Sequence, residues 1–90
     1  MTTTQLVNYV NAKLAGEMLT YNQLMVHLDS VIDDINTELN ACFPAFSDFE
    51  LNKANYPDYP NYNFFPDKYL RSVVVVGAAY KFYVTDEEGS

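Results

Sequence analysis

The chain has 90 residues, 49% of them hydrophobic and 19% charged, with 3 Gly and 4 Pro. That is one domain's worth of chain, too apolar to stay disordered and short enough that neighbours contribute to its stability. Twelve acidic against five basic residues leave a formal charge of -7, which repels nucleic acid, and the basic patch that phosphate binding requires is not visible in the sequence. The single cysteine, Cys42, rules out an intrachain disulfide and fits a reducing compartment. The first residues lack the basic and apolar regions of a signal peptide. The longest apolar run, Val73 to Tyr80, falls well short of the roughly 20 residues of a membrane span.

The first predicted element runs from about residue 3 to 15. Thr2 and Gln5 have capping-box spacing, which satisfies free N–H groups of the first turn from both sides. Leu6, Val7, Val10 and Leu14 recur at helical spacing, and Gly16 supplies the left-handed residue that commonly ends a helix.

A second helix is predicted over 20–43. Thr20 and Gln23 repeat the capping box, and Leu19 and Leu24 are placed for a hydrophobic staple across it. Tyr21, Met25, Leu28, Ile32, Ile35, Leu39 and Cys42 step by 4, 3, 4, 3, 4, 3, an a/d seam widened by Leu24 and Val31. Cys42 reads as a small buried residue at the end of that seam. Asn22, Asp29, Ser30, Asp33, Thr37 and Asn40 form the solvated face, and Pro44 stops the helix.

Residues 44–65 read as an extended arm. Pro44, Pro57, Pro60 and Pro66 interrupt or bound it, and the stretch from Phe43 to Phe65 carries eight aromatic rings. A disordered linker would not hold so many, so the arm is expected to be ordered. Phe46, Phe49, Tyr56, Tyr59, Tyr62 and Phe64 are the rings expected to anchor it to the domain or to a partner, since tyrosine buries a large face and keeps a hydroxyl to bond.

A third helix is predicted over 66–85, opened by Pro66 at its first position and by Asp67. Tyr69, Val73, Val76, Tyr80 and Tyr83 step by 4, 3, 4, 3, with Leu70, Val74 and Ala78 beside them. Such a helix must be buried on most faces, and Gly77, Ala78 and Ala79 admit another helix closely. The competing reading of 72–84 is a hairpin turning at Gly77, because four consecutive valines favour strands. Thr85 and Glu88 have capping-box spacing, so the end reads either as a short tail or as the start of a further helix beyond Ser90. The expected fold is therefore all-α: one domain over 1–90, a small bundle of about three helices with a long aromatic-rich loop.

No residue set here carries recognisable chemistry. His27 is the only histidine, with Asp34 two turns further along the same helix side, and reads as a boundary side chain because a metal needs three or four ligands. Asp29 and Asp33 are spaced to converge, but like charges at that spacing are ordinary on a wet helix face. Arg71 reads equally as a surface residue that covers apolar ground and as an interface anchor that pairs with a neighbour's carboxylate. There is no Gly-rich phosphate loop, GxSxG or HExxH. No catalytic, metal or cofactor site is expected.

The run Asp33-Asp34-Ile35-Asn36, then Leu39-Asn40, Phe43-Pro44 and Phe46, resembles small phage head-tail connector (adaptor) proteins. So do Phe65 to Ala79, which begins FPDKYLRS, and the closing run Lys81 to Gly89. The resemblance covers more than half of the chain. It implies a structural virion protein of the neck, a helical subunit made in the host cytoplasm. Its copies would form a ring between the portal protein and the next neck or tail-completion protein. DNA would pass through without specific binding, and no membrane is involved. Under that reading Asp29, Asp33 and Asp34 would face the channel, and the arm rings and Arg71 would serve the interfaces. Two other classes compete: a small acidic binding module, such as a DNA-mimic inhibitor of a basic partner, and a metal-dependent enzyme using Asp29 and Asp33.

Overall fold

The two capping boxes and a left-handed asparagine delimit the first half of the fold. Helix α1 spans Thr3–Lys13: the Thr2 hydroxyl accepts from Gln5 N–H, and the Gln5 side chain accepts from Thr2 N–H. Gly16 at φ 87° turns the chain after it, a conformation that only glycine adopts without cost. Helix α2 spans Tyr21–Leu39 and opens with the same reciprocal pair at Thr20 and Gln23. The computed structural model describes residues 1–51, 62 and 64–89, without the side chains of residues 3, 49–51 and 86–89.

Helix α2 ends four residues before the predicted end. Asn40 takes the left-handed conformation at φ 50°, which asparagine tolerates better than most residues. Its N–H and that of Ala41 both return to the Asn36 carbonyl. The Asn36 side chain then clamps Phe43, accepting from its N–H at 2.8 Å and donating to its carbonyl at 3.0 Å. The local hydrogen bonds available to two asparagines thus outcompete continuation of the seam to Pro44. As a result Leu39 and Cys42 are exposed, and Cys42 is not the buried seam residue that its spacing suggested. An identical clamp closes the first turn: Asn11 bonds both the N–H and the carbonyl of Leu19.

The predicted arm begins with a short helix, α3 (Phe46–Leu51), whose N-terminus is held from α2. Asp29 accepts from Phe46 N–H at 2.5 Å and from Ser47 N–H at 3.3 Å, while Asp48 reaches back to Ala45 N–H at 3.2 Å. These bonds satisfy amide donors that have no partner inside a helix. Replacing Asp29 with alanine is expected to cost about 1–2 kcal/mol of folding free energy. Asparagine, which keeps one acceptor oxygen, should cost less; urea unfolding of the two variants checks the order.

The last helical run is continuous from Asp67 to Gly89: α4 (Asp67–Tyr69), a π segment (Leu70–Val74) and α5 (Val75–Gly89). No hairpin forms at Gly77, and residues 86–89, expected as a tail or a new start, continue α5. The π segment places one extra residue in a turn, with Val75 N–H bonded to the Leu70 carbonyl. Met1 ties the chain start to this run, its amine 3.0 Å from Asp67 Oδ1 and its carbonyl accepting from Tyr62 N–H.

The expected all-α bundle is what forms. α5 packs against both α1 and α2, and the core is drawn from all of them: Leu6, Val10, Leu14, Leu24, Leu28, Ile32, Leu70, Val74, Val75 and Ala78 are essentially inaccessible. Each large aliphatic side chain there contributes about 1.5–3 kcal/mol relative to exposure. The radius of gyration, 12.7 Å, is close to the ~12 Å of a compact chain of this length.

Candidate interaction surface

α5 meets α2 through its small residues. A Cβ built on Gly77 would lie 3.0 Å from Val31 Cγ2 and 3.3 Å from Cγ1, so the helices touch there with nothing to spare. That close approach selects which face of α5 is buried. Leu70, Val74, Val75, Ala78 and Ala79 turn inward, with Phe82 packed against the core. The helix was expected to be buried on most faces, but its heptad-spaced stripe lies outside: Tyr69, Val73, Val76, Tyr80 and Tyr83 are all exposed, Tyr80 by 68%. The bulkier residues are left where another chain could meet them.

At its N-terminal end the stripe joins a groove between the last helical run and the end of α2. The groove holds about 560 Å³ and is lined by Ile35, Leu39, Phe43, Phe64, Phe65, Pro66, Tyr69, Val73 and Val74, with Asp34 and Glu38 the charged residues of its lining among the described residues. Its shape follows from the early end of α2. Once the helix stops at Asn40, Leu39 projects from its last turn 66% exposed, and the Phe43 and Phe65 rings pack 4.4 Å apart behind it. Exposed, contiguous apolar surface of this kind marks an interaction site more often than a catalytic one.

The arm residues divide. Phe46 and Tyr62, expected among the partner-facing rings, are instead fully buried in this chain's own core. Their rings stack at 4.4 Å, and the Tyr62 hydroxyl donates to the Pro44 carbonyl at 2.8 Å. Burial, and then the nearby Asp29 carboxylate, push the Tyr62 phenol well above its ordinary range, as expected of a hydroxyl that serves as a fixed donor. Phe64 is partly exposed at the groove and touches Tyr62 edge-on. Tyr56 and Tyr59 lie outside the described residues, as does the side chain of Phe49. Arg71 is exposed on the π segment, and Lys68 sits over the Tyr69 ring at 5.0 Å.

The three aspartates expected on one wet face are not equivalent. Asp29 is half-buried and committed to the start of α3, because α3 packs on α2 at that point. Asp33 is exposed. Asp34, also exposed, pairs with Lys81 of α5 at 2.8 Å, a surface pair that contributes about 0–1 kcal/mol. Among the described residues no group of three or more His, Cys, Asp or Glu is arranged to hold a metal, and no helix is long and apolar enough to cross a membrane.

His27 packs edge-on against Phe82 at 5.9 Å. Burial, and then the Lys81 ammonium, hold its pKa below the ordinary 6.5. The fold therefore prefers the neutral imidazole. Its contribution to stability is complete above pH 6.5 and is lost as the pH falls through that value toward the lowered one. Wild type should lose stability between about pH 7 and pH 5, and H27Q should show a shallower decline in thermal melts across that window.

Comparison with protein-family models matches none, and comparisons with curated proteins and with solved structures return no significant match.

Proposed function

We propose that this chain is a structural subunit of a phage neck, a head-tail connector (adaptor) that assembles as a ring between the portal and the next neck or tail-completion protein. The observation that carries the reading is the apolar stripe of α4–α5. Five large side chains at heptad spacing remain exposed after the described residues have packed their core. Such a stripe suits helix-to-helix contact with another protein. Two further features support it: the motifs from Asp33 to Phe46 and from Phe65 to Gly89 that resemble connector proteins, and a net charge of -7, which does not hold DNA in a channel. Asp33 and Asp34, the exposed pair, are the acidic residues proposed to face that channel. Arg71 and Phe64 remain the proposed interface residues outside the stripe. The subunit performs no catalysis in this reading.

Electron microscopy of the purified protein, alone and mixed with the portal ring of its own phage, tests the proposal. A ring, or added density below the portal in register with its symmetry, is the expected result. A monomer that leaves the portal unchanged would overturn it in favour of a small acidic binding module, whose association with a basic protein falls steeply with salt.

A further inference from the structure

The π segment Leu70–Val74 holds one residue more than a regular turn, and the helix on either side of it is fixed by other contacts. On the N-terminal side Leu70 is fully buried, and Asp67 pairs with the Met1 amine. On the C-terminal side Ala78 is fully buried, and Gly77 meets Val31. The surplus residue must therefore be taken up between Leu70 and Ala78. That interval contains four consecutive valines, Val73 to Val76. Val74 and Val75 are each 1% exposed, while Val73 and Val76 on either side of them are 45% and 47% exposed.

A surplus residue that moves along a helix carries each side chain it passes into the next one's place, about 100° of rotation. With the π segment one turn further on, at residues 74–78, Val73 enters the buried place of Val74, and Val74 enters that of Val75. Val75 then turns out toward the solvent-facing place of Val76. Both core places still hold valine, with the same volume and the same branched shape. The interval is bounded on each side. A move toward the N-terminus would carry Arg71 into the buried place of Leu70, which strips water from a charge. A move beyond 78 would carry Val76 into the place of Gly77, where a Cβ already lies 3.0 Å from Val31 Cγ2.

We infer that the π segment is a two-position slip in the last helix: the extra residue sits either at 70–74 or at 74–78, while α1, α2 and the flanking turns stay in place. The run of valines permits it, since a mixed sequence would put different side chains in the core at the two positions. The slip has an outward consequence. Val73 lines the groove beside Leu39 at the first position, and at the second it leaves the groove wall to the exposed Ser72. Register shifts of helices occur on the µs–ms timescale. The inference stands on the packing of the last helix and does not draw on the connector reading.

Two single variants at equally buried valines provide the test. Val74 fills a core place at both positions of the segment, whereas Val75 fills one only at the first. V74E should therefore abolish the cooperative thermal transition, because a carboxylate is buried at either position. V75E should keep that transition, with the segment driven to 74–78 and the new carboxylate in water. Valine-methyl NMR with a soluble paramagnetic agent then reads the position: the Val73 methyls, broadened in wild type, should be protected in V75E. A single fixed register predicts the same loss of folding in both variants. That result, any other pattern than a folded V75E beside an unfolded V74E, or a folded V75E whose Val73 methyls remain exposed would overturn the inference.

Discussion

Replacing Tyr62 with alanine is expected to remove about 3–5 kcal/mol of stability, a large part of the 5–15 kcal/mol available to a small domain. Tyr62 is among the largest fully buried side chains of the chain. It stacks on Phe46 at 4.4 Å, touches Phe64 and Phe65, and bonds the Pro44 carbonyl. Its loss opens a cavity where the arm returns to the bundle and leaves the Pro44 carbonyl without that donor. Y62F separates the two effects. It keeps the ring and loses the hydroxyl, so it should cost only about 1 kcal/mol. Urea unfolding of wild type, Y62F and Y62A should show the graded series. Equal losses in both variants would mean that the hydroxyl, not the packing, holds the arm.

Gly77→Leu is the second large effect. The position faces Val31 with a would-be Cβ at 3.0 Å, and a β-branched valine has little rotamer freedom with which to withdraw. Leucine would gain roughly 1 kcal/mol of helix propensity over glycine, but it must force α5 off α2 at the centre of the bundle. Overpacking of this kind typically costs about 1–3 kcal/mol, occasionally more, so the net change is destabilising. The paired variant V31A/G77L should recover part of the loss by returning volume at the contact, and a double-mutant cycle from thermal melts reads the coupling directly. Independent, additive losses would show that the helices do not meet at this point.

The proposed connector assembly draws on surface that these core contacts create. Gly77 and Ala78 pull one face of α5 against α2, and the tyrosines on the other side are exposed as a consequence. A variant that shifts α5 would therefore weaken both stability and the proposed assembly.

Several parts of this fold were legible in the amino-acid order because they depend on neighbours within a few residues. Both capping boxes form at the predicted positions, since their hydrogen bonds close within one turn. Gly16 takes the positive φ expected of it, and the class of the fold follows from helical spacing over three long stretches. The end of α2 was less visible. Pro44 is a conspicuous stop, but Asn40 and the Asn36 clamp on Phe43 act four residues earlier, through side-chain bonds that a hydrophobic period does not register. An asparagine just past the last turn was the available sign.

Which apolar residues are buried could not be read in the same way. In the last helical run the stripes 69/73/76/80/83 and 70/74/78 run side by side, and the pattern alone implied burial on most faces without ranking them. Contact with α2 selects the smaller ones, because close approach needs Gly77, Ala78 and Ala79 at the crossing. The same holds for the carboxylates. Asp29 and Asp33 look alike along the helix, yet only Asp29 lies where α3 folds back and needs its N–H groups bound.

The order of residues alone thus determined the helical class, the starts of α1 and α2 and the glycine turn, all of which rest on local bonding and period. The tertiary structure alone decided the inward face of α5, the burial of Phe46 and Tyr62, the role of Asp29 and the groove beside Leu39. Those depend on which surfaces meet, and helices that carry surplus apolar residues settle that by fit rather than by pattern.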